Sequence, residues 1–164
     1  MLIPDHFKEA WDIARKNFGN DICFYAPSIK SYETAEFKNT CSRDFMPVSI
    51  TGSNCELNCD HCRARILQSM RPAKTPEMLF ELAEEYKRKS VSGILISGGS
   101  GEDGVVPLKG FLPVINEIKK QLGLKVFVHS GLVNDDLAKG LKEADVDSVL
   151  IDIIGSEETI REVY

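Results

Sequence analysis

The chain has 164 residues, of which 43% are hydrophobic and 27% are charged, a composition typical of one soluble globular domain. Its 25 acidic and 20 basic side chains give a net charge of -5, which disfavours nucleic acid and anionic membranes as partners. It contains neither a long apolar run nor a signal-peptide pattern, so we predict a cytoplasmic protein with no membrane partner.

The first predicted element is a helix over Asp5–Phe18, where apolar residues recur at helical spacing and Gly19 marks the end. From residue 20 onward no period is visible, which indicates irregular structure covering a core. We therefore expect an N-terminal helix with an irregular lead-in, residues 1–45, followed by a second part, residues 46–164.

The second part alternates between buried strands and amphipathic helices. The predicted strands are residues 47–51, 93–97, 125–129 and 148–154. The predicted helices are residues 59–70, 75–89 with Thr75 as the N-cap, 108–122, 134–144 and 156–164. This order predicts the α/β class, with a parallel sheet whose strands are buried on both sides.

Four such parallel βα units form only part of a closed barrel, which needs about eight units and ~250 residues. We therefore expect a partial (βα) barrel, truncated at its C-terminus or covered by a partner at the exposed strand edge.

Five cysteines in a reducing compartment favour a metal site, a redox site or buried thiols over disulfides. Cys55, Cys59 and Cys62 form a C-x3-C-x2-C group directly after the first predicted strand, where parallel α/β folds gather ligands. Cys23 and Cys41 stand apart from this group, and we predict that both are buried apolar thiols.

Three thiols are compatible with two kinds of metal site, a structural zinc ion and an iron–sulfur cluster. A structural zinc ion needs a fourth Cys or His ligand, and His61 is the nearest candidate. Adjacent residues of a helix point to different faces, which disfavours His61 as a co-ligand of its neighbours. An iron–sulfur cube held by three thiolates instead leaves its fourth iron open to an outside ligand.

Two further features lie at predicted strand ends. The glycine-rich stretch Gly98–Gly104 follows the second strand, and it is either a ligand-approaching loop or an ordinary turn. A dinucleotide fingerprint fits poorly, because that motif follows the first strand. His129 and Ser130 end the third strand and Asp152 lies in the fourth, either as ligands or as ordinary hydrogen-bonded residues.

The string TGSNCELNCDHC resembles the cluster loop of the radical S-adenosylmethionine (SAM) superfamily. The resemblance implies a [4Fe-4S] cluster on Cys55, Cys59 and Cys62, with SAM chelating the fourth iron. It implies reductive cleavage of SAM to a 5′-deoxyadenosyl radical that abstracts hydrogen from a substrate. His61 stands where the family usually has an aromatic residue near the adenine.

The same resemblance implies further SAM contacts. The family carries a Gly-Gly-Glu-like element after the second strand, and this chain has Ser100 where the acid is frequent. The implied contacts to SAM or substrate are Ser97, Gly98, Gly99, Ser100, His129 and Asp152.

Longer strings, FYAPS, PVSITG and VHSGLV among them, resemble biotin-synthase-like radical SAM proteins of archaea and anaerobes, including the two-protein lipoyl synthase group. This resemblance implies that the chain is an N-terminal portion of such an enzyme, and that sulfur insertion is one candidate chemistry. The implied partners are a small-molecule or lipoyl-type substrate, an electron donor protein and a second radical SAM subunit. The alternative is a non-catalytic cluster-binding subunit of a larger complex.

Overall fold

The computed structural model describes residues 5–21, 34–35 and 44–163, and the chain divides into two compact units, residues 1–42 and 43–164. In the first unit, helix α1 spans Asp5–Phe18, as predicted. Gly19 follows with a φ of 67°, a left-handed conformation that ends the helix. Most of the predicted irregular lead-in lies outside the described residues, as do Cys23 and Cys41.

The second unit is built around a five-stranded sheet in which every neighbouring pair is parallel, which confirms the α/β class. The strands are β1 (Phe45–Ser49), β2 (Arg71–Pro72), β3 (Gly93–Ser97), β4 (Lys125–His129) and β5 (Ser148–Leu150). The helices are α2 (Pro76–Arg88), α3 (Leu112–Glu117), α4 (Asp135–Glu143) and α5 (Glu157–Val163). The spatial order β2-β1-β3-β4-β5 is consistent with a partial βα barrel.

Side-chain caps define where two of the helices begin. The Thr75 hydroxyl accepts a hydrogen bond from the Met78 N–H at 3.3 Å, so Thr75 is the predicted N-cap of α2. Asn134 caps α4 by accepting from the Leu137 N–H at 2.9 Å. Each cap provides an acceptor for an N–H group that has no partner inside its helix. None of the described helices has the length and apolar character needed to cross a bilayer.

The core lies between one face of the sheet and helices α2, α3 and α4. Ile94 and Val126, on adjacent strands, are fully buried on this face. Leu95 and Phe127 point to the opposite face, because successive side chains of a strand alternate, and they are only half-buried. The prediction that both faces are buried is therefore wrong for the described residues: the second face is partly open, and it carries Ser97 and His129 at its edge.

The predicted helix over residues 59–70 is wrong in its first half. Turns replace the helix as far as residue 64, and a 3-10 helix spans Arg65–Ser69. Left-handed backbone conformations, which a continuous α-helix cannot contain, interrupt this stretch. Arg63 and Ala64 have positive φ within this stretch, and Asn58 has a positive φ directly before it.

Other elements also differ from the prediction, beginning with β1, which spans Phe45–Ser49 rather than residues 47–51. Strand β2 was not predicted, because two residues that include a proline give no strand pattern. Strand β5 ends at Leu150, four residues before the predicted end at residue 154. The predicted helix over residues 108–122 consists of a 3-10 turn, then α3, then a π-helical turn at Ile118–Leu122.

Candidate functional site

The cysteine loop, residues 50–64, begins where β1 ends and carries the three clustered cysteines. Cys59 is buried, Cys55 and Cys62 are half-buried, and all three thiols are free. The Cys59 carbonyl accepts hydrogen bonds from the Cys62 N–H at 3.2 Å and the Arg63 N–H at 2.8 Å. These bonds form a tight turn that keeps the second and third cysteines on one short segment at the carboxyl edge of the sheet.

The pKa of the Cys59 thiol responds to burial and to its two neighbouring cysteines. Burial raises the pKa of the Cys59 thiol, a backbone hydrogen bond of its own lowers it, and negative charge on Cys62 and Cys55 raises it further. Bound iron ions offset repulsion between such negative charges, and thiolates are the usual ligands of iron–sulfur clusters. The donor set therefore fits an iron–sulfur cluster.

Within the described residues, no group of three or more His, Cys, Asp or Glu side chains is arranged to hold one ion. In a cube each thiolate binds a different iron, so its cysteine sulfurs do not converge on one point. His61 lies in an exposed turn rather than in a helix, so the argument from helix faces does not apply to it.

The glycine loop, residues 98–105, follows β3 and packs directly against the cysteine loop. A Cβ atom on Gly99 would lie 2.5 Å from the Cys55 Cα, closer than real Cβ atoms approach. Glycine therefore permits a backbone contact between the two loops, whereas the Cβ of any other residue would push their backbones apart. The Ser100 carbonyl accepts the Glu56 N–H at 3.0 Å, which adds a hydrogen bond between the two loops.

Thr51 joins the same two loops through its side chain. Its hydroxyl accepts a hydrogen bond from the Gly99 N–H at 2.7 Å and donates one to the Asn54 carbonyl at 2.9 Å. Nearby, the Ile50 N–H donates to the Ser97 carbonyl at 2.8 Å. One lone pair of the Ser97 carbonyl is therefore already in use.

Three predicted residues meet in one hydrogen-bonded row on the partly open face of the sheet. The Ser97 Oγ lies 3.3 Å from the His129 Nδ1, and the His129 Nε2 lies 3.1 Å from the Asp152 Oδ2. Ser97 is buried, whereas 66% of the Asp152 side chain is exposed. The row runs from β3 across β4 to the segment after β5, and both imidazole nitrogens have a partner.

Two clefts border the glycine loop. The first has a volume of about 660 Å³ and is lined by Cys55 and Gly99. The second has a volume of about 380 Å³ and is lined by His129 and Asp152. The residues that line both clefts are Ser100, Glu102 and Asp103. Carboxylates beside both openings favour a ligand that carries positive charge.

Sequence reasoning missed Thr51 and Asn54, and it gave Glu56 no role. Thr51 begins the string TGSNCELNCDHC, but nothing in the sequence indicates its contact with Gly99, which lies 48 positions away. Ser130, noted in the sequence beside His129, has a structural backbone role, because its carbonyl accepts the Val106 N–H at 2.9 Å.

Comparison with known families agrees with this geometry. The family model described as the radical SAM superfamily matches residues 49–164, more than half of the chain. The chain therefore belongs to the radical SAM superfamily, whose members use a [4Fe-4S] cluster and SAM for radical chemistry. The comparison with curated proteins finds no match.

Proposed function

We propose that this chain binds a [4Fe-4S] cluster through Cys55, Cys59 and Cys62 and cleaves SAM reductively to abstract hydrogen from a substrate. The observation that carries the proposal is the contact between the cysteine loop and the glycine loop at Gly99, beside the 660 Å³ cleft. It brings Cys55, the first of three free thiols on the cysteine loop, and the backbone of Gly99 to one cleft, in a member of a family that uses both cofactors.

The charge around the first cleft supports SAM as its ligand. SAM carries positive charge on its sulfonium and its ammonium groups, and the cleft is lined by three carboxylates and one cation, Lys74. The carboxylates are Glu56, Glu102 and Asp103. The backbone of Gly99 and Ser100 lies at the wall of the cleft, where an ammonium group finds carbonyl acceptors. The bound cluster supplies the electron that breaks the sulfonium carbon–sulfur bond and so starts hydrogen abstraction.

The remaining predicted contacts receive separate roles in this proposal. His61, exposed beside Cys62, offers a flat ring to the adenine. His129 and Asp152 bind the SAM ribose or a polar group of the substrate, with Ser97 fixing the imidazole through Nδ1. Ser100 lies between the two clefts and contacts both ligands.

For the substrate, we infer a small molecule or lipoyl-type group with an alkyl portion, as in the biotin-synthase-like group. The second cleft supports this inference, because Leu57, Leu132 and Ile154 give it an apolar lining next to the His129 imidazole. Sulfur insertion then requires a sulfur donor to meet the carbon radical, and an electron donor protein to reduce the cluster.

A second candidate is a non-catalytic, cluster-binding subunit of a larger radical SAM complex. It is favoured by the exposed apolar side chains after β5, where Ile151 and Ile153 are 54% and 88% exposed. Native mass measurement of the reconstituted chain, combined with a SAM cleavage assay, separates the two functions. A monomer that cleaves SAM contradicts the subunit hypothesis.

The main test is anaerobic reconstitution with iron and sulfide. We expect about four iron and four sulfide ions per chain, the brown colour of the cluster, and 5′-deoxyadenosine after addition of SAM and dithionite. A folded chain that takes up no sulfide-containing cluster contradicts the proposal. Zinc without sulfide would instead support a structural metal site.

Replacing one cysteine tests the assignment of ligands. Cys59→Ala should lose most of the iron and sulfide and all SAM cleavage, because two thiolates hold a cube poorly. Cys41→Ala is the matched control, since it removes a thiol outside the C-x3-C-x2-C group and should retain the cluster. Full iron and sulfide content in Cys59→Ala would remove this residue from the ligand set.

A further inference from the structure

Thr51 is placed where the two loops of the site meet. Its hydroxyl accepts the Gly99 N–H at 2.7 Å and donates to the Asn54 carbonyl at 2.9 Å, directly before Cys55. A Cβ built on Gly98 would lie 3.1 Å from both the Thr51 Cγ2 and the Thr51 Oγ1, so the side chain also packs against the glycine loop.

Both hydrogen bonds depend on one chemical property. A hydroxyl group donates and accepts at the same atom, which lets Thr51 connect an N–H of one loop to a carbonyl of the other. Valine has the same branched shape but neither capacity, and it would leave the Gly99 N–H without this acceptor. Serine keeps the hydroxyl and loses only the methyl group.

We propose that Thr51 is a positioning residue for SAM. It holds the Gly98 and Gly99 backbone at a set distance from Cys55, so that one ligand can reach the glycine loop and the cluster at the same time. This inference rests on the proposed function, because it assumes that SAM bridges the two loops. Thr51 also lines the first cleft, but its hydroxyl is engaged by Gly99 and Asn54, so the role proposed for it acts through the loops it connects.

The experiment compares Thr51→Val and Thr51→Ser with the unmodified chain. Thr75→Val is the matched control: it also removes a hydroxyl that accepts a backbone N–H, but at the start of α2 rather than between the two loops. Iron and sulfide content, the change in the cluster's electron paramagnetic resonance spectrum on SAM titration, and hydrogen exchange of the metal-free protein are measured for each.

We expect Thr51→Val to keep its iron and sulfide, since all three cysteines remain, and to bind SAM about tenfold more weakly, equivalent to about 1.4 kcal/mol. Thr51→Ser should stay within about threefold of the unmodified chain. Thr75→Val should unfold more easily yet bind SAM normally. Without metal, the segment containing the Gly99 N–H should exchange faster in Thr51→Val alone.

Normal SAM affinity in Thr51→Val overturns the inference, as does an equal loss in Thr51→Val and Thr51→Ser. Unchanged exchange at Gly99 overturns the proposed link between the loops, and this readout needs no cofactor. An unmodified chain that takes up no cluster contradicts the proposed function itself and, with it, the role in SAM binding. The two failures are therefore distinguishable.

Discussion

At the scale of single residues, the site depends on positions where a side chain is absent or very small. Gly99 allows the glycine loop to touch the backbone at Cys55, and Gly131 allows the chain after β4 to approach the Gly104 carbonyl. Gly131 also has a φ of 66°, which other residues adopt only with strain. These close contacts set how near the loops of neighbouring strands lie, and so define the walls of both clefts.

A methyl group at position 99 should therefore damage the site. In Gly99→Ala the new Cβ would fall 2.5 Å from the Cys55 Cα, and the two backbones must separate. We expect a loss of about 1–3 kcal/mol in the free energy of unfolding, typical of overpacking, and lower iron uptake. Urea unfolding and iron analysis measure both effects.

Gly110→Ala is the control for this change, because a Cβ there meets no atom within 4 Å. It should leave stability within about 0.5 kcal/mol and iron uptake unchanged. Equal behaviour of the two variants would show that the Gly99 contact does not constrain the loops.

At the scale of elements, one carboxylate connects three segments around the start of β4. The Asp147 Oδ2 lies 2.7 Å from the Lys119 Nζ and accepts the Val126 N–H at 2.6 Å. Burial raises the pKa of Asp147, but the hydrogen bonds from Lys119 and Val126 outweigh it, so the pKa is lowered overall. The ionised form therefore stabilises the folded state and fixes β4, whose far end carries His129.

The sign of the pH effect follows from this lowered pKa. A carboxyl group with a lower pKa in the folded state stabilises the protein fully above its unfolded pKa, about 4 for aspartate, and loses this contribution as the pH falls through the folded pKa. Asp147→Asn should cost about 1–2 kcal/mol in unfolding free energy at pH 7. The difference between the two proteins should shrink below about pH 4, as measured by urea unfolding at several pH values.

Asp12→Asn, a matched change on the exposed surface of α1, should alter stability by no more than about 0.5 kcal/mol at either pH. An Asp147→Asn effect that is the same at pH 3 and pH 7 would argue against the charged bond as its cause.

At the scale of the whole molecule, the two faces of the sheet differ. One face is closed by α2, α3 and α4, whereas the other ends in the row of Ser97, His129 and Asp152 beside a cleft. Ile94 in β3 is fully buried, whereas Ile151 and Ile153, beyond β5, are exposed. Stability should therefore come from the helix-covered face, and association from the segment after β5.

Two isoleucine substitutions separate these roles. Ile94→Ala should lower the free energy of unfolding by about 2–5 kcal/mol, because it leaves a cavity in the core. Ile153→Ser should change it by less than about 0.5 kcal/mol and reduce self-association, because it removes exposed apolar surface. Urea unfolding and light scattering measure the two properties. A stability loss in Ile153→Ser as large as that in Ile94→Ala would contradict this division.

Local patterns were enough to predict the parallel α/β class, helix α1, the Thr75 cap of α2 and the spacing of the three cysteines. The first three depend on apolar periodicity and capping over a few residues, which the sequence displays directly. Periodicity failed over residues 59–70, because the left-handed residues Arg63 and Ala64 carry no compositional signal. The apolar strand pattern also overestimated how much of the sheet is buried. It predicts that both faces are covered, but one face is partly open.

By itself, the sequence determined the class of fold and the family, because strand and helix periods and the C-x3-C-x2-C spacing are properties of neighbouring residues. Only the tertiary structure decided which residues meet. Thr51 and Gly99 are 48 positions apart, and His129 and Asp152 are 23 positions apart, yet each pair is within hydrogen-bonding distance. The physical reason is that parallel strands bring their carboxyl ends to one edge of the sheet, and the side chains that meet there depend on strand order and register.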